Sequence, residues 1–149
     1  MEMKIGIRAH DLVEKKTPEE LASIVREHGF SYVQLVMSKA LFPCSYDESF
    51  VQKVSASLKE KGIAVAMLGA YFNPVHSNPQ VVRGGIANFK ANLRIAHEFG
   101  HPYVGSETGS FNDSPWTYNP KNQTEEGYQA SKAVFAELAR YAEEVGEDI

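Results

Sequence analysis

The chain has 149 residues, 43% hydrophobic and 23% charged, which suits one globular domain with a sizeable core. Fifteen basic and nineteen acidic residues give a net charge of −4, and no segment concentrates lysine or arginine, which argues against a nucleic-acid partner. One cysteine, Cys44, excludes an internal disulfide and a multi-cysteine metal site. Without an export signal or an apolar run of roughly 20 residues, we expect a cytoplasmic protein without membrane contact.

Hydrophobic periodicity predicts four strands that alternate with four helices. The strands are expected over 4–9, 32–37, 63–70 and 103–107. The helices should begin at capping signals in Thr17–Glu20, Ser45–Glu48, Asn78–Pro79 and Asn122–Glu125. Each helix should end at a glycine: Gly29, Gly62, Gly100 and Gly146. The continuous apolar run 63–70 predicts a strand buried on both faces. Gly84 and Gly85 should weaken the third helix by about 1 kcal/mol each relative to alanine.

This alternation predicts parallel βαβ units. Right-handed crossovers repeated in one direction put every helix on one side of the sheet and leave its inner face uncovered. A fifth strand would begin at 147–149. We therefore expect an α/β fold, a half TIM barrel of four parallel βα units that forms a single domain over 1–149. A second subunit or a missing C-terminal half would complete it. The alternative is a flavodoxin-like sheet with helices on both faces and a small ligand at the switch point.

The two faces of each strand differ in polarity, because successive side chains alternate across a strand. Ile5 and Ile7, like Val33 and Leu35, suit the helix layer, whereas the opposite sets become polar toward the strand C-termini. Parallel α/β folds place ligand chemistry at that end of the sheet. The sequence therefore predicts a polar mouth there.

Strand ends and the loops after them supply the candidate residues of this mouth. The predicted substrate-binding residues are Arg8, His10, Gln34, Lys39, Asn73, His76 and Glu107. Nearby loops add hydroxyls and aromatic walls from Thr108, Ser110, Tyr71, Phe72 and Trp116. Such an inventory of donors, a carboxylate acceptor and aromatic rings fits a polyhydroxylated ligand such as a sugar.

Two other interpretations of these residues stay open. Arg8 and Glu107 could pair across the interior and satisfy each other. Glu107 could also join His10 and His76 in a metal set of two nitrogens and one oxygen. The catalytic residues are unknown from the sequence, which contains no phosphate loop, dinucleotide fingerprint or serine-hydrolase elbow.

Four strand-end segments are similar to a known enzyme family. They are 3–11 (MKIGIRAHD), 33–41 (VQLVMSKAL), 71–76 (YFNPVH) and 104–110 (VGSETGS). Together they resemble sugar phosphate isomerase/epimerase proteins of the xylose isomerase-like TIM-barrel superfamily. The resemblance implies an eight-stranded barrel nearly twice this length, in which two Glu, an Asp and a His of the later strands hold a divalent metal (Mn²⁺, Mg²⁺, Co²⁺ or Zn²⁺).

The resemblance also implies a reaction, the interconversion of aldose and ketose or an epimerisation through an enediolate. The family's first metal-binding Glu would fall just beyond Ile149, so no metal ligand maps onto this chain and no metal site of its own is expected. The positions that do map lie on the substrate side: His10, Gln34, Lys39, Asn73, His76 and Glu107.

The resemblance thus implies a sugar or sugar phosphate isomerase or epimerase, with metal-assisted proton transfer on a ketose or aldose once the barrel is complete. Whether the chain alone is an enzyme stays open. The alternative is a truncated, non-catalytic half-barrel dimer or a sugar-binding protein without the metal site. The uncovered apolar sheet face favours a homodimer. The expected partners are therefore a small-molecule sugar and a second copy of the chain.

Overall fold

The computed structural model describes residues 4–12, 14–113 and 118–149. Four strands form one sheet, β1 (Gly6–Arg8), β2 (Tyr32–Leu35), β3 (Ala64–Gly69) and β4 (Tyr103–Gly105). The helices are α1 (Pro18–Glu27), α2 (Met37–Ala40), α3 (Glu48–Glu60), α4 (Pro79–Ile95) and α5 (Glu125–Val145). Short 3-10 turns lie at Ala9–Asp11, Ala96–Phe99 and Pro120–Gln123. Within the described ranges, no helix has the length and apolar character needed to cross a membrane.

The sheet has the order β1-β2-β3-β4, which follows the chain without reversal. β1 pairs in parallel with β2, and β2 pairs in parallel with β3 with a register shift between Val33 and Gln34. A flavodoxin-like sheet reverses its strand order at a switch point, so that alternative is wrong. Four parallel βα units wound in one direction are the arrangement of half a TIM barrel, which confirms the predicted fold class.

The chain divides into two compact units. Unit 1 comprises Met1–Gly69 with Ile95–Tyr103, and unit 2 comprises Ala70–Arg94 with Val104–Ile149. Fully buried aliphatic side chains of unit 1 include Leu21, Val33, Leu35, Val54 and Leu68. Fully buried side chains of unit 2 include Phe89, Leu93, Val104 and Leu138. Each unit thus has its own apolar interior.

The first predicted helix start is confirmed in detail. Thr17 Oγ1 accepts from the Glu20 N–H at 3.3 Å, and Glu20 Oε2 accepts from the Thr17 N–H at 2.9 Å. This is the reciprocal capping box expected from the sequence, with Pro18 in the first turn. Gly29, at φ 80°, follows the helix end.

Two other capping residues differ from the prediction. The cap of α3 is Asp47, whose Oδ1 accepts from the Phe50 N–H at 2.8 Å. The cap of α5 is Thr124, whose Oγ1 accepts from the Gly127 N–H at 3.2 Å. In both cases a sequence box was found two residues too early, because several neighbouring side chains are able to cap a helix.

Strand ends and faces also depart from the prediction. The second strand stops at Leu35, because the Val36 carbonyl accepts from the Lys39 and Ala40 N–H groups and closes the short helix α2. Ala64 and Ala66 of β3 are exposed, so the prediction of burial on both faces is wrong. Ile5, expected against the helix layer, is 55% exposed.

The two helical glycines of unit 2 have different surroundings. A Cβ at Gly85 would overlap the ring of Phe72, whereas a Cβ at Gly84 would meet no atom within 4 Å. Gly85 therefore allows α4 to approach Phe72, which itself packs edge-on against Phe89 at a centroid distance of 6.5 Å. Both glycines lower the helix propensity of α4, but at Gly85 the missing side chain also allows close packing against Phe72.

Candidate functional site

A row of polar side chains crosses the strand ends of unit 1. Arg8 of β1 is paired in register with Gln34 of β2, which is paired with Met67 of β3. Residues paired in register point to the same face of a sheet. Gln34 Nε2 donates a weak bond to Met67 Sδ at 3.9 Å. Two of the predicted substrate-binding residues, Arg8 and Gln34, are thus neighbours.

Arg8 is held by two acceptors that follow it closely in the chain. Its Nη2 and Nε lie 2.8 and 3.2 Å from His10 Nε2, and its Nε lies 3.3 Å from Asp11 Oδ2. The Arg8 side chain is 60% exposed, whereas that of His10 is 6% exposed. Arg8 forms its ion pair with Asp11. The ion pair between Arg8 and Glu107 that the sequence left open is not formed.

His10 is an acceptor in this arrangement, because a guanidinium only donates. Its Nε2 therefore carries no proton, and the ring is neutral. Burial lowers the pKa of His10, as do the positive charges of Arg8 and Lys39, while Asp11 acts in the opposite direction. Lys39, another predicted site residue, lies exposed in α2. Unit 1 thus brings all four of its predicted site residues to the strand ends.

Asn73 of unit 2 is 4% exposed and its amide group bonds the backbone of two loops. Nδ2 donates to the Ser110 carbonyl at 2.7 Å, and Oδ1 accepts from the N–H groups of Ser110 and Val75, both at 3.1 Å. Gly109, at φ 84°, has no room for a Cβ beside Asn73 and Pro74. Asn73 therefore joins the loops after β3 and β4, and in this structure it holds the site together.

His76 lies in the same loop as Asn73 and is also bonded locally. Its Nδ1 accepts from the Asn78 N–H at 2.9 Å and lies 3.6 Å from Asp113 Oδ1. The Asp113 carboxylate accepts from the N–H and hydroxyl of Ser77, and these bonds, with a smaller effect of His76, lower the pKa of Asp113. His76 and Asp113 thus brace the start of α4.

Glu107 follows β4 and is exposed, with no hydrogen bond or ion pair to any described residue. The preceding Ser106 accepts from the Phe72 N–H at 3.2 Å, which links the ends of β3 and β4. Of the predicted aromatic walls, Phe72 is buried in the interior of unit 2, and Trp116 lies outside the described residues. Glu107 is therefore an exposed carboxylate two residues after the end of β4.

Unit 2 also contains a cavity of about 440 Å³ beside the loop after β4. Its walls come from that loop and from the first half of α5, with one residue of the loop after β3. They are Val75, Thr108, Gly109, Phe111, Asn122, Gly127, Tyr128, Ser131, Lys132 and Phe135. The volume lies in the range of small-molecule pockets, and the mixture of aromatic and polar walls is typical of them.

The sequence interpretation missed two residues that shape this cavity. Asn122, assigned to a capping box, instead donates to Ser110 Oγ at 3.0 Å and accepts from the Phe111 N–H at 2.9 Å. Lys132 was not considered as a site residue. The sequence feature that could have pointed to this region is the high content of Asn, Ser and Thr between β4 and α5. Such a composition is typical of a loop fixed by side-chain hydrogen bonds.

The described part of the chain does not present a metal centre. Among residues 4–12, 14–113 and 118–149, no three His, Cys, Asp or Glu side chains come close enough to hold an ion. The set of His10, His76 and Glu107 considered from the sequence is therefore not assembled.

Solved structures share this fold over nearly all of the chain. A Rhodospirillum rubrum protein with a provisional xylose isomerase assignment matches with a TM-score of 0.70 at 19% identity, over 98% of this chain and 52% of that protein. The 3-keto-D-glucoside 4-epimerase of E. coli matches with a TM-score of 0.66 at 16% identity, over 98% and 54%. A D-psicose 3-epimerase, solved in the presence of D-fructose, matches with a TM-score of 0.69 at 15% identity, over 97% and 50%. The chain thus spans about half the length of these proteins.

Sequence comparison leads to the same fold. No curated protein matches the chain in sequence. A family model described as a xylose isomerase-like TIM barrel matches residues 22–149, which is most of the chain. This chain therefore belongs to the xylose isomerase-like TIM-barrel family.

Proposed function

We propose that the chain is the sugar-binding half of an isomerase or epimerase barrel. In this proposal it forms a single domain that binds a sugar or sugar phosphate at the C-terminal ends of its strands. Proton transfer on a ketose or aldose then requires a complete barrel. Support comes from the family membership and from matched structures whose names are those of sugar epimerases.

One observation carries the proposal: the strand ends expose polar side chains, while aliphatic side chains of β2 and β4 are buried. The Arg8 side chain is 60% exposed and Glu107 is exposed, whereas Leu35 and Val104 are fully buried. A guanidinium supplies donors and a carboxylate supplies acceptors, and sugar hydroxyls need both. Lys39 adds an exposed ammonium group.

The described residues do not fit the divalent metal that the family implies, because no group of three suitable side chains is present among them. We therefore derive no step through a metal. The role assigned to this chain's own residues is to bind and orient the hydroxyls of the ligand. Arg8 is preorganised for this by His10 and Asp11, and Glu107 by the Ser106 link between strand ends.

We also propose a second copy of the chain as the partner that completes the sheet. Gly6, Arg8, Ala64 and Ala66 of unit 1 are exposed on the strands, where a complete barrel is covered. A homodimer would have a mass of about 33 kDa, twice 16.5 kDa. Multi-angle light scattering that gives 16.5 kDa at all concentrations would remove this part of the proposal.

The test of sugar binding is calorimetry with D-fructose on the chain and on Glu107→Gln. Loss of a charged acceptor should weaken binding about tenfold without lowering the unfolding temperature. Glu143→Gln, which changes an exposed carboxylate of α5 in the same unit, is the matched control and should bind like the unchanged chain. Equal affinity of the two variants would contradict the role of Glu107, and no binding of any ketose or aldose would contradict the function.

A second candidate function is favoured by the missing metal set: a sugar-binding half-barrel without catalysis. Turnover assays on the assembled protein with Mn²⁺, Mg²⁺ or Co²⁺ separate the two candidates. Epimerised or isomerised product supports the first, whereas unchanged sugar together with measurable affinity supports the second.

A further inference from the structure

The cavity of unit 2 is lined by a charged side chain that has no role in the proposed function. Lys132 is the charged residue among the ten that line it, so the lining carries a net charge of +1. The Lys132 Nζ lies 5.5 Å from the ring centroid of Tyr128, a cation–π distance that holds the ammonium beside the cavity. Glu125 and Glu126, the acidic residues in the first turn of α5, are not among the lining residues.

The remaining walls suit a ring that carries hydroxyl groups. Phe111, Tyr128 and Phe135 supply apolar surface. Ser131 Oγ donates to the Thr108 carbonyl at 3.1 Å, and its lone pairs remain able to accept from a ligand. Apolar walls with a few fixed polar groups are typical of pockets for small organic ligands.

Close packing and hydrogen bonds also fix the shape of the cavity. A Cβ at Gly109 would overlap Asn73 and Pro74, and a Cβ at Gly127 would lie 3.1 Å from Phe111 and closer still to the Lys121 carbonyl. Close packing at both glycines, together with the Asn122 bonds to Ser110 and Phe111, fixes the loop against α5. A preformed site loses less conformational entropy on binding.

We infer that this cavity binds an anionic monosaccharide, a sugar acid or a sugar phosphate, with its ring against Phe111 and Tyr128 and its anionic group at Lys132. The inference rests on the proposed function and adds to it a substrate class and a binding residue. Thr108, which lines the cavity, directly follows Glu107 in the chain.

The experiment compares D-glucose, D-glucuronate, D-glucose 6-phosphate and inorganic phosphate by calorimetry on the 149-residue chain. An exposed ion pair contributes up to about 1 kcal/mol, so the charged sugars should bind up to about fivefold tighter than D-glucose. About 0.5 M salt should reduce this advantage. A preference for glucuronate identifies a carboxylate ligand, and a preference for glucose 6-phosphate identifies a phosphate ligand; either result supports the inference.

Lys132→Gln and its control Lys121→Gln sharpen the test. Lys121 also lies over an aromatic ring of unit 2, with Nζ 5.6 Å from the Phe111 centroid, but it does not line the cavity. Lys132→Gln should abolish the advantage of the charged sugars over D-glucose, while Lys121→Gln should keep it.

Three results would overturn the inference. They are equal affinity for D-glucose and its charged derivatives, equal affinity for glucose 6-phosphate and inorganic phosphate, and equal losses in the two lysine variants. In the first case the proposed sugar function survives if Glu107→Gln weakens the binding of every sugar. If no sugar binds at all, both the inference and the proposed function are wrong.

Discussion

The two units hold their polar strand-end residues in different ways. In unit 1, Arg8 is exposed and its bonding partners lie two and three residues along the chain. In unit 2, Asn73 is buried and its amide bonds Ser110, 37 residues away. The same prediction of ligand binding was made for both residues. Burial thus distinguishes a strand-end side chain that holds two loops together from one that stays open to solvent.

The largest expected effect tests this contrast directly. Asn73→Ala removes two buried hydrogen bonds to the backbone of Ser110 and a part-buried one to the N–H of Val75, so it should cost about 3 kcal/mol. Arg8→Ala in unit 1 should cost less than about 1 kcal/mol, because the Arg8 side chain is 60% exposed and its ion pair with Asp11 lies at the surface. Urea unfolding of both variants measures the difference. Equal costs would contradict the distinction between the units.

A second test concerns packing inside unit 2. Gly85→Ala places a methyl group against the Phe72 ring and should destabilise the protein by about 1–3 kcal/mol. Gly84→Ala, one residue earlier in the same helix, meets open space and should stabilise it by about 0.5–1 kcal/mol. Thermal unfolding should shift in opposite directions for the two variants. A shift in the same direction would show that α4 does not pack on Phe72 as described.

A third test compares the N-terminal caps of α1 and α5, which should contribute equally to stability in the two units. Thr17→Ala removes the cap of α1 in unit 1, and Thr124→Ala removes the cap of α5 in unit 2. Each should cost about 1 kcal/mol, because capping is a local interaction. Amide hydrogen exchange in the first turn of each helix provides the measurement. A several-fold larger cost at Thr124 would mean that its bond to the Lys121 carbonyl also secures the cavity loop.

The smallest effect is a pH dependence in unit 1. His10 has a folded-state pKa below its usual 6.5, so as pH falls the unfolded state takes up this proton first. The stability contribution is complete above 6.5 and declines as pH falls through 6.5 toward the lower folded-state pKa. The free energy of unfolding relative to His10→Gln, which can still accept from Arg8, should therefore fall between pH 8 and about 5.5. A constant difference across that range would contradict the arrangement at Arg8.

Local rules were enough wherever a residue interacts with its neighbours in the chain. The Thr17 capping box and the glycines after α1, α3 and α5 depend on a few consecutive residues, and they were predicted correctly. The predicted end of the third helix at Gly100 was wrong, because α4 stops at Ile95 and a 3-10 turn separates it from that glycine. The caps of α3 and α5 were misplaced by two residues, because adjacent side chains of similar chemistry compete for the same N–H groups. The misplaced caps did not affect the predicted order of the strands.

The alternation of four strands and helices and the polar character of the strand C-terminal ends could be predicted from the sequence, because both follow from side-chain periodicity. Only the tertiary structure decided that Asn73 joins two loops, that Gly85 admits Phe72, and that Lys132 lies beside a cavity. Each of these depends on residues about 13 to 37 positions apart or on the far side of a helix. Chain periodicity carries no information about such distant contacts, since they are set by how the elements pack.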